Sequence, residues 1–152
     1  MQLSYTKQAE EAIKFAAAKA KEMNHPYIGT EHLLLGLGAQ YSGVSGQVLS
    51  QNGVEEEKIL RLMDELIVPR DNVFAGRKPE ESPRFQDILK NSEREAVRLH
   101  APEIGTEHLL LSMIRDVDCV ATRILITLNI NLQKILQDVL NAAGADLREY
   151  QE

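Results

Sequence analysis

The chain reads as all-α: two tandem four-helix repeats closing on each other as one pseudo-twofold, eight-helix bundle. Three features lead there. The run Ile28-Gly29-Thr30-Glu31-His32-Leu33-Leu34-Leu35 recurs letter for letter from Ile104 to Leu111, an offset of 76 residues. Held without gaps, that offset pairs residues 6–67 with 82–143, and 16 of those 62 positions are identical. With the commonest residue types each at under about 10% of a chain, eight consecutive matches are not chance. Finally, apolar residues recur at helical spacing in both copies, and no stretch alternates as a strand bounded by hairpin turns would. Two copies are too few for an open solenoid, so each must cover the other's apolar face.

The elements follow in order. In the first helix Ala9, Ala12, Ile13, Ala16, Ala20 and Met23 fall on one side; Phe85, Ile88, Leu89, Ser92, Ala96 and Leu99 match them in the second copy. Thr6 and Ser82 stand where N-caps belong, with Pro83 at a first helical position. His25-Pro26 and Ala101-Pro102 end these helices, because the residue before proline avoids the helical region. A short second helix starts at Thr30 or Thr106. The third runs near Val44–Gln51 or Val120–Leu128, with Asn52-Gly53 as a stop. The fourth runs near Glu55–Ile67 or Asn131–Ala143, and Gly144 ends it. Residues 2–67 thus form repeat 1 and 82–145 repeat 2. Residues 68–81, with Pro69, Gly76 and Pro79, read as an exposed linker, and 146–152 as a tail, helical or frayed.

Composition excludes several functions. Lys plus Arg number 17 against 23 Asp plus Glu, a net charge of −6, and no segment is basic: the acids outnumber or equal the bases in residues 1–67, 68–81 and 82–152 alike. Nucleic acid and anionic membranes are therefore not expected partners. Trp is absent and aromatics are 5%, so a base-stacking surface is poorly supplied. The longest apolar stretch, Leu33 to Ala39, is far short of the roughly 20 residues that span a bilayer. Cys119 is the one cysteine, so no internal disulfide can form, and a reduced, cytoplasmic setting is the simplest expectation. It reads as a small buried hydrophobe, and the alanine stripe of the first helix as close helix packing.

Catalysis and metal chemistry find little purchase. Glu31 and His32, or Glu107 and His108, are adjacent on a helix and point in different directions, so they cannot act as base and orienter unaided. No Ser or Cys nucleophile recurs beside them. Of His25, His32, His100 and His108 only His32 and His108 match under the repeat, and there is neither a His-Glu-x-x-His motif nor a cysteine pair. Gly36-Leu37-Gly38 lies inside an apolar helix and is no phosphate loop. No catalytic residue, metal or cofactor is expected in this chain. A local account makes Thr30 and Thr106 helix caps and puts Glu31 and Glu107 on the first turn, where the dipole favours an anion. A capping box with Thr30 as cap would need Glu or Gln at Leu33, so that device is not expected. The local account leaves the recurrence of Glu with His to duplication alone.

The doubled Pro-x-Ile-Gly-Thr-Glu-His-Leu-Leu-Leu motif resembles the N-terminal domain of Clp-type AAA+ unfoldases, nearest the ClpC branch, over residues 2 to about 145. The resemblance implies a Clp N-domain fold and a receptor: a domain that sits on a hexameric motor, docks adaptor proteins and captures substrates for unfolding into the ClpP protease. Its ATPase modules, which would bind ATP, are absent here, and 146–152 would lead towards them. It further implies recognition of phosphoarginine-marked proteins at two pockets, one per repeat, through Glu31 and Glu107 and the cap hydroxyls of Thr6 and Ser82, with Thr30, Thr106 and Tyr5 in support. A guanidinium presents a planar donor fork that a carboxylate accepts, and a helix start offers N–H groups to the phosphoryl group. Tyr5 precedes the cap in repeat 1 where repeat 2 has Glu81 after Glu80, and Tyr27 is matched by Glu103. On those acids the Glu31 pocket is expected to bind more tightly than the Glu107 pocket. The alternative is an adaptor-docking or regulatory domain whose pockets no longer bind the mark.

Overall fold

The structure is a computed structural model and describes residues 2–66, 78–145 and 150. Along them run α1 (Lys7–Glu22), β1 (Tyr27–Ile28), α2 (Thr30–Gly38), α3 (Val44–Gln51), α4 (Glu56–Leu66), β2 (Glu80–Glu81), α5 (Pro83–Arg98), α6 (Thr106–Arg115), α7 (Val120–Thr127) and α8 (Leu132–Ala142). The eight helices fall four to a repeat, as the sequence implies, and their ends are chemical. Thr6 Oγ1 accepts the Ala9 N–H at 3.1 Å and Ser82 Oγ the Phe85 N–H at 3.1 Å, so both predicted caps open their helices. Asn131 caps α8 by accepting the Lys134 N–H. The stops are equally paired. Asn24 (φ 58°) and His100 (φ 59°) turn the chain out of α1 and α5, and Gly53 (φ 78°) and Asn129 (φ 60°) out of α3 and α7. Each pair is 76 residues apart, so the two repeats turn alike where their letters differ.

The second helix of each repeat is the axis of the bundle. Every residue from Thr30 to Leu37 is buried, and so is every residue from Thr106 to Ile114 except Glu107. Full burial of each leucine there is worth about 1.5–3 kcal/mol. Around this axis α1 lies on α2 through Ala9, Ala12, Ala16 and Ala20, all with no exposed surface. The approach is so close that a Cβ on Gly36 would stand 2.3 Å from the Ala12 carbonyl oxygen. Repeat 2 solves the same crossing differently: Ser112, the match of Gly36, donates its hydroxyl to the Ile88 carbonyl at 2.8 Å. The alanine stripe is therefore a packing device.

Two short parallel pairings, missed because two-residue strands carry no periodicity, tie the repeats together. β1 pairs with β2 in the register Tyr27↔Glu80 and Ile28↔Glu81, and Tyr5 bridges Ile104. Residues 80 and 81 of the expected linker are thus a strand, while 67–77 lie outside the described residues. Of the tail only Tyr150 is described; it is buried, with the Arg115 guanidinium over its ring at 4.6 Å and donating to its hydroxyl. Among the described residues no helix is long and apolar enough to cross a membrane.

Candidate functional site

The repeated Gly-Thr-Glu-His step divides four tasks among four residues. Gly29 and Gly105 are the N-caps of α2 and α6. Thr30 and Thr106, expected as those caps, are instead the first helical residues, because the glycine before each already has the extended backbone a cap requires. His32 Nδ1 accepts the Gly29 N–H at 2.8 Å, and His108 Nδ1 the Gly105 N–H at 2.8 Å. An imidazole three residues after the cap does what Glu or Gln does in the return half of a capping box; the glycine cap has no side chain to supply the other half. The threonine hydroxyls reach across the molecule: Thr30 Oγ1 accepts the Ala121 N–H of α7, and Thr106 Oγ1 the Ser45 N–H of α3.

The glutamates fold back over the glycines. A Cβ on Gly29 would lie 1.7 Å from Glu31 Oε1, and one on Gly105 1.7 Å from Glu107 Oε1. Only glycine leaves room for the carboxylate there. Their surroundings then diverge. Glu31 is 1% exposed, and neither carboxylate oxygen has a hydrogen-bond partner. Burial pushes its pKa up to about 6, partly offset by its own backbone N–H. His32 lies 3.8 Å from Oε1, but its Nδ1 accepts from Gly29 and burial, with His25 beside it, holds its pKa down at about 4. It is therefore a neutral neighbour and no counter-ion. Its Nε2 donates to His25 Nδ1 at 2.7 Å, the tautomer that the Gly29 bond dictates. Repeat 2 has Ala101 in place of His25. Glu107 has a side chain 22% exposed, open to solvent where Glu31 is shut in.

Each glutamate is paired in space with the helix start of the opposite repeat. Ser82 N–H donates to the Ile28 carbonyl at 3.0 Å, which puts the α5 cap beside Gly29 and Glu31. Thr6 N–H donates to the Ile104 carbonyl at 2.9 Å, which puts the α1 cap beside Gly105 and Glu107. The grouping drawn from sequence, with Thr6 and Tyr5 beside Glu31 and Ser82 beside Glu107, is thereby exchanged: Ser82 and Tyr27 stand by Gly29 and Glu31, and Thr6 and Tyr5 by Ile104 and Gly105. Each location holds one tyrosine, Tyr27 beside Glu31 and Tyr5 beside Thr6. Tyr5 is raised in pKa by burial and by the charges of Glu81 and Glu93. Cys119 is fully buried with Sγ 3.2 Å from Thr122 Oγ1. Among the described residues no cluster of three or more His, Cys, Asp or Glu is placed to hold a metal.

An all-α bundle of two interlocked repeats, each with a folded-back glutamate at a helix start, defines a class of helical repeat domain, and comparison with known proteins gives the class its family. The family described as "Clp repeat (R) N-terminal domain" matches residues 4–128 and again 80–152. The chain is 34% identical over 140 residues to the ATP-dependent Clp protease ATP-binding subunit ClpC of Staphylococcus saprophyticus, covering 92% of this chain. It is 34% identical over 146 residues to the chaperone protein ClpB of Oceanobacillus iheyensis, covering 93%. In both cases it spans 17% of the relative's length. Its fold matches the N-terminal domain of the Arabidopsis thaliana chaperone ClpD with a TM-score of 0.74 at 21% identity, covering 91% of this chain and 96% of that one. It also matches a ClpV N-domain solved in complex with a VipB peptide, with a TM-score of 0.69 at 20% identity, covering 91% and 93%. The chain belongs to the Clp repeat N-terminal domain family.

Proposed function

We propose that this chain is the substrate- and adaptor-receiving domain of a cytoplasmic Clp-type ATP-dependent unfoldase that feeds the ClpP protease, and that it recognises phosphoarginine. The observation that carries the reading is the Glu31 carboxylate, buried and without a hydrogen-bond partner, beside a helix start; Glu107 repeats the fold-back over its glycine but is open to solvent. A buried carboxylate without a donor is costly, and a guanidinium supplies parallel N–H donors and a compensating charge together. The phosphoryl group of the same side chain then lies near the start of α5 or α1, where unpaired N–H groups and the helix dipole favour an anion. Selectivity comes from demanding both charges on one residue: phosphoserine brings no cation and arginine no anion.

The two locations differ in what they offer. At the start of α5, Pro83 has no N–H, and the Arg84 guanidinium is engaged by Asp116 at 2.7 Å. At the start of α1, Lys7 and Gln8 both carry an N–H. Glu107 is also reachable without rearrangement, whereas Glu31 must be uncovered. The ranking drawn from sequence is therefore reversed: the Glu107 and Thr6 location is the tighter one. Calorimetric titration of the chain with phosphoarginine, phosphoserine and arginine tests both claims. Only phosphoarginine should give heat, Glu107→Ala should remove more of it than Glu31→Ala, and comparable heat from phosphoserine would defeat the reading. An adaptor-docking domain without the mark, the alternative, is what silence with all three ligands would leave, provided an adaptor still co-purifies.

A further inference from the structure

Repeat 1 holds a socket with an apolar floor and a polar rim where repeat 2 carries larger apolar side chains. The socket, about 220 Å³, lies over Gly38 between α2, α3 and α4, with Leu35, Val54 and Ile59 in its lining. A Cβ on Gly38 would meet nothing within 4 Å. In repeat 2 the position of Gly38 is Ile114, 8% exposed, and the position of Glu56, which also lines the socket, is Leu132, packed on the core. Repeat 1 thus has a glycine and a glutamate where repeat 2 has two apolar side chains. An apolar cavity of about 150 Å³ already accepts a benzene-sized guest, so this one has room for a large aliphatic or aromatic side chain.

Its rim states what should flank that side chain. Glu55 and Glu56 both line it. Glu22, Glu55 and Glu56 share two ammonium groups, Lys19 and Lys58, at 3.7–3.8 Å, beyond close hydrogen-bond distance. The rim keeps an excess of negative charge on a chain of net charge −6. Tyr41, 77% exposed, also lines the socket, and an aromatic ring there suits an incoming cation or methylene stem.

We propose that this socket docks a protein segment that inserts one Leu, Ile or Phe side chain over Gly38 and places Lys or Arg beside it against Glu55 and Glu56. The site is separate from the two glutamate locations and goes beyond the phosphoarginine reading, so either can fail alone. The test is fluorescence anisotropy of a short labelled peptide, a central leucine flanked by arginines, titrated with the whole chain. The filling variants Gly38→Ile and Glu56→Leu copy what repeat 2 already tolerates, and each should weaken binding at least about tenfold, as should leucine→glycine in the peptide. Replacing the flanking arginines with glutamates should do the same. Phosphoarginine heat and melting temperature should stay at wild-type values in Gly38→Ile. The proposal is overturned if wild type binds no peptide, if both filling variants bind as wild type does, or if the glutamate-flanked peptide binds equally. It is also overturned if sedimentation shows self-association that Gly38→Ile abolishes, since the socket would then belong to a second copy.

Discussion

Thr30 Oγ1 accepts the backbone N–H of Ala121 at 3.1 Å, across the boundary between the repeats, and Thr106 does the same for Ser45 at 3.3 Å. The helices so capped, α7 and α3, begin at Cys119 and Gly43, neither of which contributes a side-chain cap of its own. Valine keeps the shape of threonine and loses the acceptor. Thr30→Val should therefore lower stability by about 1–2 kcal/mol, and Thr30→Ser should retain most of it. Thermal melts followed by circular dichroism will read this as a fall of about 2–4 °C per kcal/mol for a chain of this size.

Gly29→Ala offers a double-mutant cycle. At φ −104° alanine has no backbone objection, so its main conflict is with Glu31 Oε1, 1.7 Å from the added carbon, with the Tyr27 ring next at 3.0 Å. The substitution should destabilise by about 1–3 kcal/mol in the presence of Glu31 and by much less in a Glu31→Ala background. Equal losses in both backgrounds would mean that the carboxylate is not what the glycine accommodates.

Glu31→Gln should raise stability, and by an amount set by pH. In the folded chain Glu31 holds its proton up to about pH 6, against an ordinary value of 4.5. Its contribution is thus fully present below about 4.5 and is lost as pH rises through 6. Above that the charged carboxylate is a burden of about 2 kcal/mol, which the amide lacks. Melting curves of the two proteins should separate near neutral pH and converge near pH 4.5. His32, depressed to about 4, is present in both, so its opposite pH dependence cancels in the difference.

The crossing of α1 and α2 should tolerate no side chain at Gly36. Gly36→Ser places a Cβ 2.3 Å from the Ala12 carbonyl and should cost about 1–3 kcal/mol, although serine stands at the matching position of repeat 2. The reverse change, Ser112→Gly, loses one hydrogen bond to Ile88 and should cost about 1 kcal/mol plus the helical penalty of glycine, again of about 1 kcal/mol. Denaturant midpoints of the two variants measure the contrast.

The helices were legible because caps, stops and apolar spacing are local: Thr6, Ser82 and Asn131 sit in the sequence where they sit in space. The repeated Gly-Thr-Glu-His step was legible through identity under an offset, and the resemblance to Clp N domains singled out Glu31 and Glu107 within it. Their partners were not. The neighbour of Glu31 is set by Ser82 bonding Ile28, a contact made through a strand of two residues, too short to show a period. The role of His32 was hidden by placing the cap at Thr30; moved one residue back to Gly29, the same spacing makes it the third helical residue, where a side-chain acceptor belongs. The contrast between a shut-in Glu31 and an open Glu107 depends on tertiary burial and has no local signature.

The crossed threonine bonds bear on ancestry. A lone copy of this unit could satisfy them only by meeting its own twin, with each threonine reaching into the other molecule. The present chain has the form of such a homodimer joined into one polypeptide by gene fusion. Once joined, its halves no longer had to be identical, and they now differ at the position that is Gly38 in one and Ile114 in the other.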